Sequence, residues 1–397
     1  MKPDGDRLRI LFVITDLEVG GAERMLLKLV TRLAPSHELA VVSLAERGSL
    51  APEFERAGAS VRAIGMRGPA SLPAGIASLA REIRAWRPHL VSTWMYHADL
   101  VGGLAARLAG VRAVAWNIRN SDLSREHTSR ATLAVVRANA RLSGALPKLI
   151  LCCSDTARRI HVELGYRGER FRLIPNGFDL AQFRPSREAR RSVRHELGLG
   201  EDDLLVGLVA RWHPQKDHPG FVRAAAQLVR REPRARFVLI GNDCDAGNPE
   251  LVGLVREAGV GDRMHLLGRR TDIPRLTAAL DVATSSSSFG EAFPNILGEA
   301  MACAVPCVTT DVGDSADIVG DTGRVVPPRD PDALAAALAE ILSMPPQARA
   351  ALGERARRRV ESEFELGAVA ARYESAFREI AHGSRGAGAQ GSESCAE

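Results

Sequence analysis

Short apolar or β-branched runs alternate along the chain with longer segments of helical periodicity, the pattern of a parallel α/β architecture. In the first part RILFVI, ELAVVSL, SVRAI, HLVSTW, RAVAW, KLILCC and FRLIP predict strands. Between them, residues 22–33, 72–86, 99–109, 123–142 and 155–164 predict helices. The series pauses at IPNGFDLAQFRPSREARR, residues 174–191, whose Pro, Gly, Asn and Arg content predicts a domain boundary. A second series follows, with strands LLVGLVA, RFVLIG, RMHLLG, DVATSS, VPCVTT and RVVP and helices over 218–230, 249–258, 294–301 and 332–342. Residues 347–381 predict two helices broken near Phe364, the last leaning back onto the first domain, and GSRGAGAQGSESCAE predicts a flexible tail. The expected division is 1–178 with a returning helix at 365–382, then 179–364, then a tail over 383–397. Two such domains in tandem predict a cleft, with ligands at the carboxyl ends of strands.

Composition agrees with two domains, since 397 residues exceed what one core usually serves. Apolar content of 45% and charged content of 25% place the chain among soluble globular proteins. The apolar run 10–14 is too short for a secretory segment and reads as a strand, so a cytoplasmic location is expected. Cys152, Cys153, Cys303 and Cys307 lie in apolar contexts without a C-x-x-C pair and read as buried thiols. A net charge of +5 is too weak and scattered to argue for nucleic acid, while acidic small molecules or an anionic membrane surface fit it. The basic residues are 49 Arg and only 4 Lys, so each lysine runs against the chain's habit.

Residues 285–306 read SSSSFGEAFPNILGEAMACAVP and hold two carboxylates, Glu291 and Glu299, in an apolar stretch. Pro294 suits the first position of a helix, where its missing N–H would be unpaired anyway. The amides that follow, of Asn295, Ile296 and Leu297, then lie at the positive end of the helix dipole and suit an anion such as a diphosphate. Glu299 lies one turn further, on the face of Asn295, where a carboxylate can accept hydrogen bonds from a diol such as ribose. At ~1.5 Å per helical residue the two acids span on the order of 12 Å, comparable with the reach from a ribose across a diphosphate to a sugar ring. The alternative is a loop charge at Glu291 favouring the helix start and a solvated face at Glu299.

Two further segments bear on that choice. VGLVARWHPQKDHPGF places Arg211 and Lys216 between a strand and a helix, where two cations can converge on a phosphate pair or simply occupy a surface loop. DLEVGGAERMLLKLV places Gly20 and Gly21 where the first strand gives way to a helix, allowing close backbone approach to a ligand, although no G-x-G-x-x-G dinucleotide fingerprint exists.

Together these segments resemble glycosyltransferase family 4, the retaining nucleotide-sugar-dependent enzymes of the GT-B fold. The resemblance covers residues 7 to about 380 and rests on four features. Glu291 and Glu299 match the family's paired glutamates with seven residues between them. Arg211 and Lys216 match its cations, Gly20 and Gly21 its glycine pair, and IPNGFD its interdomain turn. The implied fold is two Rossmann-like parallel-sheet domains facing across a deep cleft, the first on the acceptor side and the second binding the nucleotide sugar. The resemblance implies that Glu299 holds the ribose, that Arg211 and Lys216 neutralise the diphosphate, and that the amides of Ile296 and Leu297 assist. Glu291 would then touch donor-sugar hydroxyls, with Phe293, Pro294 and Asn295 shaping that pocket. It also implies that His97, just past a strand end in VSTWMYHADL, lies near the sugar's reaction centre; a cap on the helix starting at Asp99 is the alternative. Asn117, Arg119 and Asp122 in WNIRNSD also follow a strand end and read as acceptor-side. The Glu-Ala-Phe-Pro sequence departs from the family's common Glu-Gly-Phe, which leaves the backbone beside Glu291 less free and the choice of sugar open.

The expected activity is transfer of a hexosyl or N-acetylhexosaminyl group from a nucleotide sugar, UDP-linked in preference to GDP-linked, to a hydroxyl acceptor. Such an acceptor is a saccharide, a lipid-linked molecule or a small metabolite. No cofactor and no metal are expected, since bases occupy the place a divalent ion takes in other transferases. The alternatives are a non-catalytic nucleotide-sugar-binding protein, or an epimerase or hydrolase of the same architecture. Arg125, Arg130, Arg137 and Arg141 recur along one expected helix and suit a solvated face or, at the inner face of a membrane, peripheral contact with anionic lipid.

Overall fold

A computed structural model describes residues 7–389. The chain forms two compact units, one made of the residues before Phe178 together with those after Glu365, the other of Phe178–Glu365. Phe178 belongs to the second unit, one position earlier than the sequence suggests, because its ring packs among residues of that unit (below).

The first unit holds strands β1 (Arg9–Ile14), β2 (Glu38–Ser43), β3 (Ser60–Ala63), β4 (Leu90–Trp94), β5 (Val114–Ile118), β6 (Leu149–Cys152) and β7 (Phe171–Leu173). They form one sheet in the order β3-β2-β1-β4-β5-β6-β7, and every pairing is parallel. The second unit holds β8 (Leu204–Val209), β9 (Ala235–Ile240), β10 (Met264–Leu266), β11 (Val282–Ser285), β12 (Cys307–Thr310) and β13 (Arg324–Val326). Their order is β10-β9-β8-β11-β12-β13, again all parallel. Strands such as β4 and β12 are buried throughout, which explains why their sequences are continuous apolar or small-residue runs rather than alternating ones.

The order of each sheet decides where a ligand can sit. Successive strands step one way from β1 and the other way from β4; the same reversal occurs between β8 and β11. Loops leaving the carboxyl ends of two such neighbours diverge to opposite sides and open a crevice between them. In register, Ile14 pairs with Trp94 and Leu208 with Thr284, so these strands end level.

The first unit's core is closed by the last helix, Leu366–Ala389, where Tyr373 stacks on Trp94 with centroids 6.4 Å apart and Phe377 meets Phe12 edge-on at 6.1 Å. Burial of each such ring stabilises by about 1.5–3 kcal/mol. This helix runs to Ala389, through residues expected to be tail, because once nucleated a helix adds a hydrogen bond with each residue. The rest of that tail, 390–397, lies outside the described residues.

Other boundaries shift for local reasons. The helix expected over 123–142 is Arg130–Leu142, since the Ser129 hydroxyl accepts the Thr132 N–H at 3.1 Å and fixes the start there. Arg125 therefore lies outside the helix, and the fourfold arginine row is reduced to three. Within the segment read as boundary begins the helix Arg187–Glu196, capped by Ser186. Cys152, Cys153, Cys244, Cys303 and Cys307 are all buried free thiols. Among the described residues no helix is long and apolar enough to cross a membrane.

Candidate functional site

In the second unit, three loops leave the carboxyl ends of β8, β11 and β12 and bond to one another. The loop after β8 contains a 3-10 turn, Pro214–Lys216, capped by the His213 ring, which accepts the Gln215 N–H at 3.2 Å. Asp217, at φ 46°, then turns the chain into the helix His218–Arg231 by accepting the Gly220 N–H at 2.9 Å. The run of serines after β11 fixes this turn. The Ser286 hydroxyl donates to the Lys216 carbonyl at 2.6 Å, and the Ser288 amide donates to the Gln215 carbonyl at 2.8 Å. These serines are thus mostly buried rivets between two loops.

At the centre of this arrangement Lys216 Nζ donates to Glu291 Oε1. The same oxygen accepts the Ser287 hydroxyl at 2.7 Å, and the Ser287 carbonyl in turn accepts from Thr310 Oγ1 at 2.5 Å. Glu291 is only 8% exposed. A carboxylate this buried needs charged and hydrogen-bonding partners, and here it has both. Its backbone is held from the other side by Gly313 in the loop after β12. Gly313 has φ 63°, and any side chain there would overlap the Glu291 carbonyl. The Asp314 backbone N–H donates to the Ala292 carbonyl at 3.1 Å.

The next helix is Asn295–Ala302, with Pro294 at the N-cap rather than the first helical position. The Leu297 amide, expected to face an anion, donates instead to the Pro294 carbonyl at 3.3 Å. Phe293 is buried, and Glu299 is half-buried one turn beyond Asn295. Arg211 is exposed at the end of β8. The structure thus gathers Lys216, Glu291, Phe293 and the helix start around the β8–β11 crevice. Ser287, Thr310 and Gly313 join them without having been singled out in the sequence. Among the described residues no group of three or more His, Cys, Asp or Glu side chains is placed to hold a metal ion.

In the first unit the equivalent reversal lies between β1 and β4. Gly20 is the N-cap of the helix Gly21–Leu33, at φ −146°, and has no side chain to occupy the first amides. His97 is the second residue of the helix Tyr96–Leu108, which begins three residues before the expected start, so it is not a cap. It is half-buried, and that burial lowers its pKa, keeping the ring neutral near pH 7. Met95, just before this helix, is held at φ 76° and ψ 155°, a region used almost only by glycine.

Two of the three residues expected on the acceptor side make bonds within the unit. Asn117 is fully buried, and its amide donates to Ser92 Oγ at 3.0 Å and the Thr93 carbonyl at 2.8 Å, a tie between β5 and β4. The Arg119 guanidinium donates to Asn176 Oδ1 at 2.7 Å and to the Tyr373 hydroxyl, and lies 4.2 Å from the Trp94 ring centre. It clamps the returning helix to the sheet. Asp122 remains partly accessible, paired with His127 Nδ1 at 2.7 Å.

Each unit also buries a histidine whose titration has a measurable consequence. His161 and His218 are fully buried, and burial lowers the pKa of each to about 4, against an ordinary value near 6.5. Depressed folded-state values mean that the unfolded chain takes up protons first. Stability from neutral burial is therefore full above pH 6.5 and is lost as pH falls towards 4, by about 3 kcal/mol for each ring. Calorimetry should show the melting temperature falling between pH 7 and pH 4.5. His218→Asn should flatten that slope, and an unchanged slope would contradict the assignment.

Comparison with known proteins bears on both crevices. Residues 19–182 match the family model described as Glycosyltransferase Family 4, and residues 203–344 match the model described as Glycosyl transferases group 1. EpsF of Bacillus subtilis is 26% identical over 321 residues, covering 76% of this chain and 79% of that protein. The UDP-Gal:alpha-D-GlcNAc-diphosphoundecaprenol alpha-1,3-galactosyltransferase of Escherichia coli is 27% identical over 59% of this chain and 61% of its own length. The crystal structure of Anabaena Alr3699/HepE in complex with UDP and glucose superposes with a TM-score of 0.82 at 23% identity, over 94% of this chain and all of that one.

Proposed function

The chain belongs to glycosyltransferase family 4 and has the GT-B fold, and from that premise we propose that it moves a hexosyl or N-acetylhexosaminyl group from a UDP-sugar to a hydroxyl acceptor with retention of configuration. The observation that carries this reading is the Lys216–Glu291 pair, part-buried at the β8–β11 reversal beside the start of the helix Asn295–Ala302. A cation, a carboxylate and a helix N-terminus together suit a diphosphate flanked by hydroxyl groups. The preference for UDP is supported by the donor named for the E. coli relative and by the UDP in the HepE crystal.

In this reading Arg211, Lys216 and the amides of Asn295 and Ile296 face the diphosphate, Glu299 takes the ribose, and Glu291 takes sugar hydroxyls, with Phe293 and Pro294 shaping the wall. Breaking the sugar–phosphate bond places negative charge on the leaving diphosphate. Donors fixed before the reaction bind that charge more strongly in the transition state than in the ground state, which lowers the barrier. Glu291 is already engaged by Lys216 and Ser287, which argues for sugar binding rather than nucleophilic attack. The leaving phosphate then serves as the base for the incoming hydroxyl. Neutral His97 is suited to hydrogen-bond the sugar, the amides at Gly20 and Gly21 to approach the ligand, and Asp122 to meet the acceptor.

No divalent ion is required, since the cations and the helix start supply the charge. The acceptor is a saccharide, lipid-linked or metabolite hydroxyl. The test is incubation with a panel of UDP-sugars and hydroxyl acceptors in EDTA, following UDP release. Acceptor-dependent release is expected and should survive EDTA. Abolition by EDTA would contradict metal independence, release without acceptor would point to hydrolysis, and binding without turnover to a non-catalytic protein.

A further inference from the structure

The helix Asn295–Ala302 carries a glycine, Gly298, on its buried face, and the space its side chain would fill is occupied. A methyl group added at Gly298 would fall inside the ring of Phe178. That ring is fully buried and stacks on Phe293, with centroids 6.4 Å apart and planes 21° from parallel. Phe364 closes the group, edge-on to Phe293 at 5.5 Å and to Phe178 at 6.5 Å. The backbones join as well, since the Phe178 amide donates to the Phe364 carbonyl at 2.9 Å and residue 178 pairs in parallel with Glu365. The far end of the same helix is held by the Arg357 guanidinium, which donates to the Ala302 carbonyl.

Phe178 and Phe364 therefore do more than fill a core. Both sit where the chain enters and leaves the second unit. One ring touches the helix between Asn295 and Glu299, and it stacks on the residue two positions after Glu291. Offset aromatic pairs resist sliding, and a ring set against a glycine fixes the height of a helix as a side-chain contact does not. We propose that Phe178 is a positioning residue for this loop and helix, setting Glu291, Glu299 and the helix start at the spacing a diphosphate and its sugars require. This inference rests on the assignment of those residues to the nucleotide sugar.

The test compares Phe178→Leu, Gly298→Ala and the double variant with the unaltered chain, using calorimetric UDP affinity, donor KM, kcat and melting temperature. Lys216→Ala is measured alongside. Phe178→Leu opens space beneath the helix and Gly298→Ala overfills it. Each should weaken UDP binding and raise donor KM by about ten- to a hundredfold at temperatures well below its melting point. In the double variant the smaller side chain makes room for the methyl group, and UDP affinity should return to within about threefold of the unaltered chain.

If both single variants melt lower but keep normal UDP affinity and KM, the residue is only structural and the proposal is overturned. Should one variant fail to fold, the other still decides, since its affinity either falls or does not. If Lys216→Ala also leaves UDP affinity unchanged, the site assignment itself fails and takes the proposal with it. If Lys216→Ala weakens binding while Phe178→Leu and Gly298→Ala do not, only the positioning role fails.

Discussion

Replacing Lys216 by alanine should lower kcat/KM for sugar transfer by on the order of 10²–10³. Two effects combine. The first is loss of a fixed cation facing the charge that develops on the leaving diphosphate, a loss felt more in the transition state than in binding. The second is that Glu291, 8% exposed, would lose its ammonium partner while keeping the Ser287 hydroxyl. Breaking a fully buried ion pair costs up to 3–5 kcal/mol, but the lysine side chain is 22% exposed, so a loss of about 2 kcal/mol is expected. The double variant Lys216→Ala, Glu291→Gln separates the two effects. Removing the carboxylate charge should restore most of the urea midpoint without restoring activity. Full activity in Lys216→Ala would contradict the role given to this residue.

Gly313→Ala should impair transfer by about tenfold or more although the residue touches no substrate in this account. At φ 63° a side chain costs about 1–2 kcal/mol by itself. Here the added carbon would also overlap the Glu291 carbonyl, with the Ala292 carbonyl only 2.9 Å away, so the loop bearing Glu291 must move. The expected result is a stability loss of about 2 kcal/mol or more together with a raised donor KM. Gly253→Ala is the control. It lies in the helix Pro249–Glu257 with no atom within 4 Å of an added carbon, and alanine there should stabilise by about 0.5–1 kcal/mol with KM unchanged. If the two variants behave alike, Gly313 does not brace the site.

The contrast between these glycines shows what can be read from a sequence and what cannot. Both sheets were legible, because buried parallel strands are apolar on both faces and the helices between them keep their own period. Glu291 and Lys216 stood out too, as charges that break the habit of their surroundings, and the structure pairs them. Gly313 was not, since its need for a left-handed backbone arises from a carbonyl 22 residues away in the chain. The part played by the serines was not legible either, because a hydroxyl carries no local sign of whether it meets water or, as at Ser286, a carbonyl 70 residues distant. Asn117 and Arg119 show the same limit from the other side. Polar residues at a strand end suggest a ligand, yet here one ties two strands and the other clamps the returning helix.

We propose that one anion site, formed by Arg211, Lys216 and the first amides of the helix Asn295–Ala302, holds a nucleotide diphosphate. A crystal structure with UDP bound in the presence of EDTA tests it most directly. The expected result places phosphate oxygens about 2.8 Å from Lys216 Nζ and within hydrogen-bond reach of Arg211 and the Asn295 and Ile296 amides, with the ribose on Glu299. A diphosphate bound away from Lys216 and this helix start would contradict it.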